Sequence, residues 1–343
     1  MMKMELVYFK GFCKKVQLLG MCFLVVSCMA CSSEDKEDEP MVIMEYNASS
    51  EYIAVFGDIQ YYTNLSYISL FRHSCDWILF QKHAGMNINS VLLVGDVTHA
   101  HTTEIIQWDC FRNGTQELSQ DIPLISAIGD HDYAWDGYTI YDRNATHFSE
   151  YLRFPLTKKK VVAWFEEGHM ENIIVENYIH DLPIYFLVLE FGPRKEVVEW
   201  ASEYVKTHPD IHFILINHEY LEMGGGRRTE GLKCVLRLKK NTNTTYTTPT
   251  QLWNQLIKKN DNILCVLCGH VGGLYAYTPE KNDYGREVPQ IQHNIQGPSY
   301  RYDNWLMLWE FPEDSDSANV SIINTKSLKY YNDKTVLFRF KYK

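Results

Sequence analysis

A chain of 343 residues can hold one large domain or two small ones. Hydrophobic residues at 45% and aromatic residues at 14% exclude a disordered polymer. The formal net charge of -10, with no basic stripe carrying interleaved aromatics, excludes an evident nucleic-acid-binding surface. The densest basic run, Lys158-Lys159-Lys160, reads as a solvated loop.

The first elements are targeting signals. Lys3, Lys10, Lys14 and Lys15 precede an apolar run over 16–30. That run is short for a membrane span and suits the apolar region of a signal peptide. It ends in Val25-Val26-Ser27-Cys28-Met29-Ala30-Cys31, which resembles a bacterial lipobox. Cys28 is the expected lipidated residue, with Cys31 as the alternative. Residues 32–48 then form an acidic, extended tether. An acidic patch in this place resembles the surface-export signals of Bacteroidetes lipoproteins. The expectation is an exported protein, lipid-anchored to a bacterial outer membrane, with a signal segment over 1–31 and one catalytic domain over 49–343. The Cys residues beyond Cys31 are Cys75, Cys110, Cys234, Cys265 and Cys268, odd in number and scattered, which is no disulfide framework. Cys265 and Cys268 read as core residues that a strand points to opposite faces.

Strand-like and helix-like stretches alternate from Glu51 onward. Residues 52–56 form a short apolar strand that ends in Gly57-Asp58. Residues 65–84 have helical spacing, with Leu70, Trp77, Ile78 and Phe80 on an apolar face. Residues 90–94 are a second strand, ending in Gly95-Asp96, followed by a helix over about 103–119. Residues 123–128 are a third strand, ending in Gly129-Asp130. After a loop-rich stretch come a strand over 184–189, a helix over 196–207 and a strand over 211–216 that ends in Asn217-His218. The strand over 262–268 ends in Gly269-His270. Residues 305–311, 319–324 and 337–340 read as strands of an antiparallel region.

Five apolar strands thus each end in a short polar signature containing Asp or His. Strands of an α/β sheet present their carboxyl ends to a common crevice, so scattered signatures can meet in one site. Hydrolysis of phosphate esters by divalent ions calls for hard oxygen ligands and imidazoles, one carboxylate bridging the two ions. The chain offers Asp58-x-Gln60, Gly95-Asp96, Gly129-Asp130-His131-Asp132, Asn217-His218 and Gly269-His270-x-Gly272, in that order.

This series resembles the calcineurin-like metallophosphoesterases, whose motifs run D-x-H, G-D, G-N-H-D/E, a lone His after a strand, and G-H-x-H. The resemblance covers residues 51–325, and the D-x-Q form is similar to a bacterial branch of the family, as are Trp253 and the late run over 305–311. It implies an α/β sandwich of two mixed β-sheets flanked by helices. It also implies two divalent metal ions, with Mn, Fe or Zn suited to the donors. Asp96 would be the bridging carboxylate, Asp58 a ligand of the first ion, and Asp130, His218 and His270 ligands of the second. His131 would give a proton to the leaving oxygen, and Asp132 would orient His131.

Three positions depart from the family. Gln60 stands where a His is usual, Asp130 where an Asn is usual, and Gly272 where the second His of G-H-x-H is usual. Gln60 keeps an amide oxygen for a hard ion; Gly272 offers nothing. The first site is therefore expected to be weak, and His99 or His101 could supply the missing imidazole. Arg227 and Arg228, after three glycines, could meet an anionic substrate. The expected function is hydrolysis of a phosphoester by a metal-activated water. The alternative is a catalytically weakened surface lipoprotein that binds a phosphorylated or acidic ligand.

Overall fold

The computed structural model describes residues 41–339, apart from 100–104, 134–142, 144–145, 154–158, 230–245 and 332–335. The signal segment, Cys28, Cys31, most of the acidic tether, His101 and Cys234 lie outside the described residues. Among those described, no helix is long and apolar enough to cross a membrane.

Two mixed sheets form the architecture, as expected. In the first, β1 (Glu51–Phe56), β2 (Asn87–Leu93) and β3 (Leu124–Ser126) run parallel. β12 (Trp305–Phe311), β13 (Ser317–Asn324) and β14 (Val336–Arg339) extend that sheet antiparallel, beginning beside β1. In the second, β7 (Leu182–Leu189), β8 (His212–Asn217) and β9 (Ile263–Cys268) run parallel. β11 (Glu287–His293) joins β9 in parallel, and β10 (Tyr275–Lys281) closes that edge antiparallel. β4 (Val161–Trp164) and β5 (Ile173–Val175) form the other edge, and β6 (Tyr178–Ile179) pairs with β7.

The apolar strand runs follow from burial on both faces. In β8, Ile214 and Ile216 point into the core shared with the first sheet, while Phe213 and Leu215 point to a second core on the outer face. The helix Lys195–Thr207 covers that outer face with Val197, Val198, Ala201 and Val205, the i, i+1, i+4, i+8 stripe of an amphipathic helix. Each buried valine there contributes roughly 1.5–3 kcal/mol. Cys265 and Cys268 fall in the two different cores, as the pleat requires. Cys75, Cys110, Cys265 and Cys268 are free thiols.

Five strands lie in stretches with no strand expectation: the two-residue β6, and β4, β5, β10 and β11, whose length or composition gives the reason. β10 carries Pro279 and is only half-buried, and β11 carries Pro289; a proline argues against a strand unless it lies near an edge. β4 and β5 are only 4 and 3 residues long, too short for a periodic signal. Lys160 is exposed, as a solvated loop requires, but Lys159 departs from that reading: its ammonium donates to Asn177 Oδ1 at 2.6 Å and Asn89 Oδ1 at 3.1 Å. Burial lowers its pKa to about 8, against the pull of Glu51 and Glu176.

Candidate metal centre

The carboxyl ends of the two parallel sets face one rim. The first sheet delivers aspartates: Asp58 past β1, Asp96 past β2 and Asp130 past β3. The second delivers imidazoles: His218 directly after β8 and His270 two residues past β9. Asp96, Asp130, His218 and His270 each place one ligand atom so that all lie within 4.8 Å of one another. These four are the residues expected to hold the second ion.

Short contacts define the arrangement. His218 Nε2 lies 3.2 Å from Asp96 Oδ1 and 3.3 Å from Asp130 Oδ1. His270 Nδ1 lies 3.0 Å from Asp130 Oδ1. His218 donates from Nδ1 to the Val94 carbonyl at 2.8 Å, which fixes the tautomer and leaves Nε2 as the donor atom for a metal. Asp96 and His270 both adopt left-handed backbone conformations, with φ of 53° and 70°. For non-glycine residues such geometry costs on the order of 1 kcal/mol and gathers at functional sites. Gly269 is required for closeness: a Cβ there would overlap the Asp58 carboxylate and Val94.

Charge in this rim is dense and dry. Asp58, Asp96, Asp130 and Asp132 are each at most 3% exposed, and ions buried this way need compensating partners. Burial, reinforced by Asp96, pushes Asp58 up to about 8, although His218 and His270 pull against it. Burial also raises Asp130, but His270 and His218 outweigh it and hold the carboxyl well below the usual range. Burial works against protonation of His218, yet Asp96 and Asp58 lift it well above the ordinary histidine value. A cluster in which Asp58 rises and imidazoles charge is short of positive charge.

Of the residues expected at the first site, Asp58 and Asp96 share a hydrogen-bond donor, and Gln60 is buried. Gln60 is 2% exposed, and its Oε1 is buried with no hydrogen-bond partner. An orphaned amide oxygen, two residues along the chain from the buried Asp58, fits a hard cation. Asp58 accepts from the His270 backbone N–H at 2.9 Å, Asn294 Nδ2 at 2.8 Å and Gln296 Nε2 at 3.1 Å. Gln296 Nε2 also reaches Asp96 Oδ2 at 3.4 Å, spanning the two carboxylates. Sequence reasoning missed Asn294 and Gln296, whose only signal is a polar pair following the proline-bearing β11. It also missed Glu219, whose Oε1 lies 3.9 Å from His270 Nε2. At Gly272 a Cβ would meet nothing within 4 Å, so the missing side chain has room.

His131 sits at the edge of the cluster, its Nε2 4.0 Å from Asp130 Oδ2. Burial disfavours its charge, but Asp96, Asp130 and the His99 carbonyl outweigh that and raise its pKa to about 9.

The expected role of Asp132 needs correction. Its carboxylate accepts from the backbone N–H of Thr98 at 2.9 Å and of Gly129 at 2.9 Å, pinning the loop after β2 to the loop after β3. The His131 ring is held instead by the His99 carbonyl, which accepts from Nδ1 at 2.8 Å. The His99 ring does not join the metal cluster; it stacks on His131 with centroids 5.2 Å apart. Arg227 is likewise corrected: its guanidinium binds Glu280 and lies 4.9 Å over Trp253, so it braces β10. Arg228 is 8% exposed, with its Nε 3.4 Å from Glu219, so it reaches the site only through that carboxylate.

No family model matches the chain. The uncharacterized protein YvnB of Bacillus subtilis (strain 168) is 26% identical over 296 residues, covering 81% of this chain. The chain spans about a fifth of that relative's length, 20%. Among solved structures, the Haemophilus influenzae NAD nucleotidase (NadN) is similar over 83% of this chain and 54% of its own, with TM-score 0.35 and 12% identity. The Thermus thermophilus sulfate thiohydrolase SoxB is similar over 84% of this chain and 59% of its own, with TM-score 0.45 and 10% identity. Similarity at this level assigns no ligand and no reaction.

Proposed function

We propose that this chain is a metal-dependent phosphoester hydrolase. The observation that supports it most is the buried cluster of Asp96, Asp130, His218 and His270 with the His131 imidazole at its edge, Nδ1 held by the His99 carbonyl and Nε2 facing Asp130. A binding site alone has no need of a poised proton donor.

In this reading Asp96, Asp130, His218 and His270 would hold one ion, and Asp58, Asp96 and Gln60 would hold the other. The ions, when bound, acidify a water and neutralise charge on the phosphoryl oxygens. The chain's own residues do the rest. His131 keeps Nδ1–H on the His99 carbonyl, so the proton it can give sits on Nε2. As water oxygen bonds to phosphorus and the phosphorus–oxygen bond of the leaving group breaks, His131 protonates the departing oxygen. The attacking water gives one proton up to solvent, and the products are an alcohol with phosphate from a monoester, or with a phosphomonoester from a diester. Phe191 walls the imidazole side, its ring centroid 5.9 Å from His218 and 5.6 Å from His270.

The test is metal titration of chelated protein followed by assays on nitrophenyl phosphate and bis-nitrophenyl phosphate. Turnover of either should appear with added Mn or Zn and vanish in an Asp96→Asn variant. Metal-loaded protein that hydrolyses neither compound would leave a ligand-binding site and end the enzymatic reading.

A further inference from the structure

A ladder of rings and a cation runs outward from His131. His131 stacks on His99, with centroids 5.2 Å apart and planes at 18°. The other neighbour of His99 is Tyr61, with centroids 4.8 Å apart. Over Tyr61 lies the guanidinium of Arg301, its carbon 3.9 Å from the ring centroid. Arg301 is also tied to the metal side. Its Nε donates to the Gln296 carbonyl at 2.9 Å, and Gln296 Nε2 is the amide that spans Asp58 and Asp96.

A partly exposed arginine resting on a tyrosine is ordinary by itself. Arg301 differs in what is left unused. Among the described residues no carboxylate pairs with it, and its two terminal nitrogens have no hydrogen-bond partner. The guanidinium is nonetheless fixed in place, by Tyr61 on its face and the Gln296 carbonyl on its Nε. A fixed, unneutralised fork suits two phosphoryl oxygens bidentately, and little side-chain freedom is lost on binding. Its position is set by two short routes. One residue, Gln296, separates it from the metal carboxylates, and two stacked rings separate it from the proton donor. Arg301 thus touches groups tied to the metal carboxylates on one side and to the proton donor on the other.

Resting on the phosphoester reading, we propose that Arg301 clamps a second phosphoryl group, carried by the leaving group, so that diphosphorylated compounds are the preferred ligands. The ladder through Tyr61 and His99 keeps the clamp and His131 in register, so recognition of the leaving group and its protonation share one support.

Calorimetry on the full chain loaded with Mn, at constant free metal, compares inorganic phosphate with inorganic pyrophosphate. Wild type should bind pyrophosphate more tightly than phosphate by about tenfold or more. Arg301→Ala should lose about tenfold for pyrophosphate and less than about twofold for phosphate, with metal content unchanged. Arg301→Lys should fall between, since it keeps the charge and loses the fork. Equal losses for both anions, or no loss, would overturn the clamp. Loss of bound metal in both Arg301 variants would overturn it too, by assigning Arg301 to bracing Gln296. Wild type that hydrolyses nitrophenyl phosphate yet shows no preference for pyrophosphate sinks the clamp alone. Metal-loaded wild type that binds neither anion sinks the clamp and the phosphoester reading together.

Discussion

The Nδ1–H of His131 is held by the backbone carbonyl of His99, at 2.8 Å, and the two rings stack with centroids 5.2 Å apart. The anchor is main chain, so it survives any side-chain change at residue 99. His131→Ala should therefore lower kcat by on the order of 10²-fold with metal content near wild type, while His99→Ala should cost only a few-fold. The His131→Ala deficit should shrink for an acidic leaving group such as nitrophenol. Single-turnover rates on good and poor leaving groups check this. An equal deficit for both would make His131 a phosphate-positioning residue.

Asp132 is a second point of leverage, through stability rather than proton transfer. Its carboxylate is 0% exposed and takes the Thr98 and Gly129 N–H groups. Asp132→Ala should leave those two donors buried and unpaired, costing about 2–4 kcal/mol. Urea unfolding measures it. A variant as stable as wild type, with activity lost all the same, would return Asp132 to the chemistry.

Metal binding should be asymmetric. The second site has four converging ligands with two imidazoles. The proposed first site would draw on Asp58, the shared Asp96 and the orphaned oxygen of Gln60, with the His99 ring packed against Tyr61 and His131. Oxygen-only sites hold borderline transition ions less tightly. Calorimetry on chelated and refilled protein should resolve one tight and one weak event. Gly272→His should strengthen the weak one, because a Cβ there meets open space. Two equally tight events in wild type would mean that a further ligand completes the first site.

His293 lies fully buried at the end of β11, donating from Nδ1 to the Leu274 carbonyl at 2.9 Å. Burial lowers its pKa to about 4, against the help of that carbonyl. The unfolded chain binds a proton near the ordinary histidine value of 6.5 and the folded chain does not. Its contribution is thus full above pH 6.5 and is lost as the pH falls from 6.5 towards 4, by about 3 kcal/mol in all. His293→Asn keeps a donor for Leu274 and removes the titration. The stability difference between wild type and variant should change across this pH window; a constant difference would refute the assignment.

The lipid anchor is an expectation about location. We predict processing at Cys28, or failing that at Cys31, with acyl chains on that residue holding the protein in a membrane. Labelling cells with a fatty-acid analogue tests it. A Cys28→Ala, Cys31→Ala double variant that still takes up label would count against lipidation.

The sequence by itself determined the strand ends and which Asp and His residues stand beside them. Asp58, Asp96, Asp130, His218 and His270 were legible because each follows an apolar run buried on both faces, and such runs have few alternative placements. The helix Lys195–Thr207 was legible from its stripe, and Cys265 and Cys268 from the pleat. What only the tertiary structure decided lies between elements distant in the chain. Asn294 and Gln296 meet Asp58 from 236 and 238 positions away, after a strand whose proline hid it. The Arg301–Tyr61–His99–His131 ladder joins four separate loops, and no local pattern encodes a stack between them. Asp132 adjoins His131 in sequence, yet it is bonded to Thr98 and Gly129, because buried backbone N–H groups of two converging loops needed an acceptor. Arg227 looked available for a substrate until β10, itself unread, brought Glu280 to it. Local chemistry announces which residues are suited to a site; which of them remain free to act depends on the partners that folding supplies.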